Sequence, residues 1–123
     1  MQLTDSIIYI DRLRLYAFHG VMPQERTVGA DFLVSVEADA DIADAIESDE
    51  IVDTVSYASM AEVVCSEMAV PSQLLEHVCG RIGRSLLHQV PTLSRVMVRI
   101  TKVVPPIVGL QCDGAGVEVT IDR

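Results

Sequence analysis

The 123-residue sequence contains no tryptophan, and three Tyr with two Phe bring its aromatic share to only 4%. Half of the residues are nevertheless hydrophobic, so the core must be aliphatic, and disorder, which goes with low hydrophobicity, is not expected. Basic residues are scarce. Nine Lys and Arg stand against eighteen Asp and Glu, a net charge of −9. That sign repels phosphate backbones and anionic bilayers, so neither nucleic acid nor membrane is an expected partner. No apolar run approaches the roughly 18 residues of a membrane-spanning helix. Asp5, Asp11, Arg12 and Arg14 interrupt the first stretch, against the pattern of a secretory leader. Three cysteines, Cys65, Cys79 and Cys112, are an odd number without close pairing, which argues against a disulfide framework. Buried, reduced thiols in a cytoplasmic protein are expected instead. Linkers, repeats and low-complexity tracts are missing too, so the chain reads as one domain over residues 1–123.

What is present is a strand, strand, helix, helix, strand, strand order. Residues 6–19 alternate through Ile8 and Ile10, then through Leu13 and Leu15. The parity change at Asp11-Arg12 predicts a bulge. Residues 31–41 put Phe32, Val34, Val36, Ala38 and Ala40 on one face. The loop of about ten residues between these strands exceeds the usual hairpin length of ~2–5, and is long enough to hold a site. Residues 56–69 predict a helix capped by Ser56, with Tyr57, Met60, Val64 and Met68 on its apolar stripe. A second helix, 73–88, carries Leu74, Leu75, Val78, Ile82, Leu86 and Leu87. Val96, Val98 and Ile100 mark a strand over 93–103, ended by Pro105-Pro106, and Val117, Val119 and Ile121 mark the last. The expectation is an α+β layer, a four-stranded antiparallel sheet with two helices on one face. Its open edges favour a homo-oligomer joined through the sheet.

Two residues stand out. Lys102 continues the Val98/Ile100 row, so it either snorkels out of the sheet end or sits in a partly dry pocket suited to proton transfer. Parity alone favours snorkelling. Glu76 falls in the first turn of the second helix, where the helix dipole favours a carboxylate. It either compensates that dipole or accepts hydrogen bonds from the paired N–H groups of a ligand. The acidic stretch from Asp39 to Asp53 lacks the oxygen ligand and the turn glycine of a calcium loop and reads as a solvated rim. His19, His77 and His88 do not have metal-binding spacing, and no metal or cofactor motif is found. His77 and His88 read as surface or satisfied residues.

Four motifs at these places give the chain its resemblance to the dihydroneopterin aldolase family of folate biosynthesis. They are Tyr16-Ala17-Phe18-His19-Gly20 with Pro23-Gln24-Glu25, Asp53-Thr54-Val55-Ser56-Tyr57, Leu74-Leu75-Glu76-His77, and Arg99-Ile100-Thr101-Lys102 with Pro105-Pro106-Ile107. The resemblance implies the tunnelling fold, in which four subunits close their sheets into a barrel and two rings stack into an octamer, with active sites between neighbouring subunits. It implies a pterin substrate anchored by Glu76, with Leu75 and Val55 contributing backbone groups and Thr54 close by. It implies a catalytic cluster of Lys102, Tyr57 and Glu25, working without cofactor, metal or Schiff base. An epimerase of the same fold, acting on dihydroneopterin or its triphosphate, and a non-catalytic ring that binds pterins or purines remain the alternatives. Zinc-dependent pterin synthases of related fold are disfavoured by the missing histidine pairs.

Overall fold

The computed structural model describes residues 2–123. Strands β1 (Ile7–Ala17), β2 (Ala30–Asp39), β3 (Arg95–Lys102) and β4 (Ala115–Asp122) form one antiparallel sheet in that order, with β1 and β4 at the edges. Short helices α1 (Pro23–Val28) and α2 (Ala43–Ser48), with a 3₁₀ turn at Ile51–Asp53, occupy connections that hydropathy pattern did not mark as helical. Helices α3 (Tyr57–Met68) and α4 (Leu75–Gln89) cover one face, α3 against β1 and α4 against β3 and β4. The expected α+β architecture is thus the observed one.

Cross-strand register explains how the core is filled. Ile8–Ala38–Val96–Ile121, Ile10–Val36–Val98–Val119 and Leu13–Val34–Ile100–Val117 are successive rows beneath the helices. The bulge lies where the parity change put it, with the register shifting between Ile10 and Leu13. Without it, Leu13 and Leu15 would turn to the opposite face. Arg12 takes a left-handed conformation there (φ 52°), and its amide donates to Ser35 Oγ at 2.9 Å. The two inner strands are the driest part of the sheet: Phe32, Val34, Val36, Val96, Val98 and Ile100 are fully buried. The opposite face carries exposed cross-strand ion pairs, Arg14–Asp31, Arg99–Glu118 and Arg95–Asp122.

The Ser56 cap is as expected, its hydroxyl accepting from the Ser59 amide at 3.3 Å. Three expectations need correction. Tyr57 and Leu74 are exposed rather than part of the buried stripes: Leu74 is the extended N-cap residue before its helix, off the helical face that buries Leu75, and Tyr57 is the first residue of its own helix. Cys65 and Cys112 are exposed, the first on the solvent side of α3 and the second in the turn before β4. Only Cys79 is buried, and desolvation pushes its thiol up to about 12.

Candidate active site

The fourth core-face row is Leu15–Phe32–Lys102–Ala115, so register places Lys102 on the covered side at the end of β3. It does not snorkel freely into water. Its ammonium donates to Glu25 Oε2 at 2.7 Å, and the two side chains are only 19% and 18% exposed. The partner comes from α1, 77 positions away in sequence, which is why strand parity could not reveal it. Lys102 is also the single lysine of the chain, a signal that was open to counting.

Local structure holds Glu25 in place. Pro23 opens α1, and Glu25 Oε1 accepts from the Met22 amide at 3.3 Å, reaching back over the helix start. The buried Gly20 lies directly under the Glu25 side chain, and a Cβ there would fall on Glu25 Cβ and Cδ. The Lys102 hydrogen bond, followed by the Met22 amide, outweighs burial and holds the Glu25 carboxyl below its ordinary value.

Glu76 is exposed in the first turn of α4. With Leu75, Lys102, Val21, Ile107 and Val117 it lines an open groove of about 340 Å³. That is the lower end of the range for small-ligand sites, about 300–1,000 Å³. The groove therefore joins a carboxylate at a helix start, a largely desolvated ammonium and an apolar rim.

Thr54, Val55 and Tyr57 do not line this groove. The carbonyl of Met68, the last residue of α3, lies near His19 beside the groove. Twelve helical residues span about 18 Å, so Tyr57 stands at the far end of α3 from Lys102. Val55 is half-buried against the core, and Thr54 and Tyr57 face solvent. One chain thus brings together Glu25, Leu75, Glu76 and Lys102 and leaves Thr54, Val55 and Tyr57 apart. Sequence reading missed the buried pair His19 and Ser72 behind the groove, whose only signal was the histidine inside the first motif. Among the described residues, no group of three or more His, Cys, Asp or Glu converges as a metal site.

An open groove with one exposed carboxylate and one paired lysine, on a sheet covered by two helices, gives an α+β domain with the groups that binding a small polar ring and moving a proton on it would require. A dihydroneopterin aldolase family model matches residues 8–120. Dihydroneopterin aldolase of Staphylococcus epidermidis is 35% identical over 116 residues, 94% of this chain and 95% of that one. The Methylorubrum extorquens enzyme of the same name is 35% identical over 94% of this chain and 89% of its own. The crystal structure of E. coli dihydroneopterin aldolase in complex with neopterin superposes with a TM-score of 0.85 at 26% identity, covering 94% of this chain and 98% of that one. The chain belongs to the dihydroneopterin aldolase family.

Proposed function

We propose that this protein is an aldolase of folate biosynthesis that cleaves 7,8-dihydroneopterin into 6-hydroxymethyl-7,8-dihydropterin and glycolaldehyde. The observation that carries the reading is the Lys102–Glu25 pair at 2.7 Å in the groove that Glu76 lines. Glu76 accepts two hydrogen bonds from the amino group and ring N–H of the pterin, and the Leu75 backbone adds a contact. A base then removes the proton from the side-chain hydroxyl on the departing fragment. The carbon–carbon bond breaks, its electron pair moves into the ring C=N, and glycolaldehyde leaves. The ring is its own electron sink, so neither a lysine Schiff base nor a metal is called for. The enamine is then protonated on carbon to give the hydroxymethyl product. Lys102 and Tyr57 share these proton transfers, directly or through water, and Glu25 orients Lys102.

The separation of Tyr57 from Lys102 within one chain supports a site shared between subunits. Tyr57, Val55 and Thr54 of a neighbour would complete the groove in a four-membered ring, two rings making an octamer. The open edges β1 and β4 and exposed apolar residues such as Tyr9, Ile107 and Val108 are suited to that assembly. Its unpaired cysteines suit a reducing, cytoplasmic setting.

Incubation with 7,8-dihydroneopterin, without added metal, should release glycolaldehyde and the hydroxymethyl pterin in equal amounts. An epimerised substrate without glycolaldehyde would make the chain an epimerase, and no reaction at all would leave a binding ring. Mixing inactive Lys102→Met and Tyr57→Phe chains before assembly should restore activity in about a quarter of the sites, as a head-to-tail ring requires. Mixtures no more active than either variant alone would place both residues in one subunit's site.

A further inference from the structure

Among the described residues only two polar side-chain residues are fully buried, His19 (1% exposed) and Ser72 (6%), and they are bonded to each other. The Ser72 amide donates to His19 Nδ1 at 3.0 Å. The Ser72 carbonyl accepts from the Gly20 amide at 3.0 Å. The Ser72 hydroxyl meets His77 Nδ1 at 2.8 Å and accepts from the Arg81 guanidinium at 3.0 Å, both on α4. Arg81 also donates to the Glu67 and Val70 carbonyls, at 2.9 and 2.7 Å. One residue thus ties the loop that follows β1 to the start of α4.

Stability alone does not explain this knot. With Nδ1 accepting, the imidazole proton sits on Nε2, which is buried and faces the Met68 carbonyl without a well-formed hydrogen bond. An unmet buried donor costs about 1–3 kcal/mol, and an apolar side chain against Phe32 would avoid that cost. What the knot does achieve is geometric. Gly20 is held from both sides, its amide by Ser72 and its carbonyl by Arg26 at 2.7 Å, and Gly20 is the floor on which the Glu25 side chain rests. The opposite arm carries His77, the residue after Glu76.

We infer that His19 and Ser72 are positioning residues: their hydrogen-bonded clasp sets Glu25, and through it Lys102, against the helix start that carries Glu76. The inference rests on the aldolase reading for its catalytic consequence, but its geometric part does not. His19→Leu fills the site and removes the acceptor. His19→Asn places a side-chain oxygen near the position of Nδ1 and should restore it.

Two readouts decide the matter. In His19→Leu, amide hydrogen exchange across residues 20–28 should speed up, while in His19→Asn it should return close to the wild-type rate. For dihydroneopterin cleavage, His19→Leu should lower kcat at least about tenfold with KM within about threefold, and His19→Asn should recover most of the loss. Unchanged exchange in His19→Leu would overturn the clasp, as would a kcat loss that Asn does not rescue. A wild-type protein that cleaves no dihydroneopterin would defeat the aldolase reading alone, since exchange still reports on the clasp. If His19→Leu does not fold, Gly20→Ala, which leaves the clasp bonds in place and puts a methyl on Glu25, should show the same kcat loss. Unchanged kcat there would overturn the inference equally.

Discussion

Both ends of the sheet carry a cation–carboxylate pair at 2.7 Å, and the two pairs behave differently. At one end, Arg95 of β3 and Asp122 of β4 are direct register partners, with side chains 53% and 68% exposed. At the other, Lys102 and Glu25 are joined across 77 residues and are less than one-fifth exposed. Equal distances thus conceal unequal chemistry. Water screens the first pair, and a salt bridge of that kind contributes little to stability. The second pair is largely removed from water, so its charge interaction is strong and its geometry is dictated by the surrounding fold. The groove with convergent functional groups lies at the second end. A cavity of about 280 Å³ at the first end, lined by Asp5, Asp39 and Asp41 among others, brings carboxylates together without a cation lining it among the described residues.

The contrast can be broken most directly by deleting each cation. Lys102→Met should lower the cleavage rate by about 10²–10⁴-fold, the usual share of a proton-transfer group, whereas Arg95→Met should leave it unchanged. Equal effects, or an active Lys102→Met, would erase the distinction. A smaller effect concerns pH. The folded-state pKa of Glu25 is lowered, so the unfolded chain binds its proton first as pH falls. The stability it contributes is complete above the ordinary value of 4.5 and disappears as pH drops through the lowered one. Thermal melts should therefore show the gap between wild type and Glu25→Gln narrowing with acidification, and a gap independent of pH would contradict the desolvated pair. The smallest effect belongs to Asp122→Asn, which should shift the melting midpoint barely or not at all, with any shift vanishing as salt rises. A large, salt-insensitive shift would show that the exposed pair has been misjudged.

Much of this was legible in the residues themselves. Alternation in β2 and β3 named the buried row correctly, the parity change located the bulge, and Ser56 marked the start of α3. Each is a local signal, set by side-chain periodicity or by one cap. Helices α1 and α2 went unseen because six residues with no buried side chain leave no apolar period to read. Tyr57 and Leu74 had the right spacing but stand at the first residue and the N-cap of their helices, where helical spacing does not fix burial. Of the site, Lys102 and Glu76 could be singled out by parity and helix position. The roles of Glu25 and Tyr57 came only by resemblance, since neither stands in a pattern that physical reasoning picks out.

By itself the sequence determined the α+β class, the aliphatic core, the face on which Lys102 lies and the family to which the chain belongs. Tertiary structure alone decided that Lys102 meets Glu25 rather than water, that His19 and Ser72 are clasped behind them, and that Tyr57 stands apart. Periodicity tells which side of an element a residue occupies. Which group waits on that side depends on how distant segments pack, and only the folded chain carries that information.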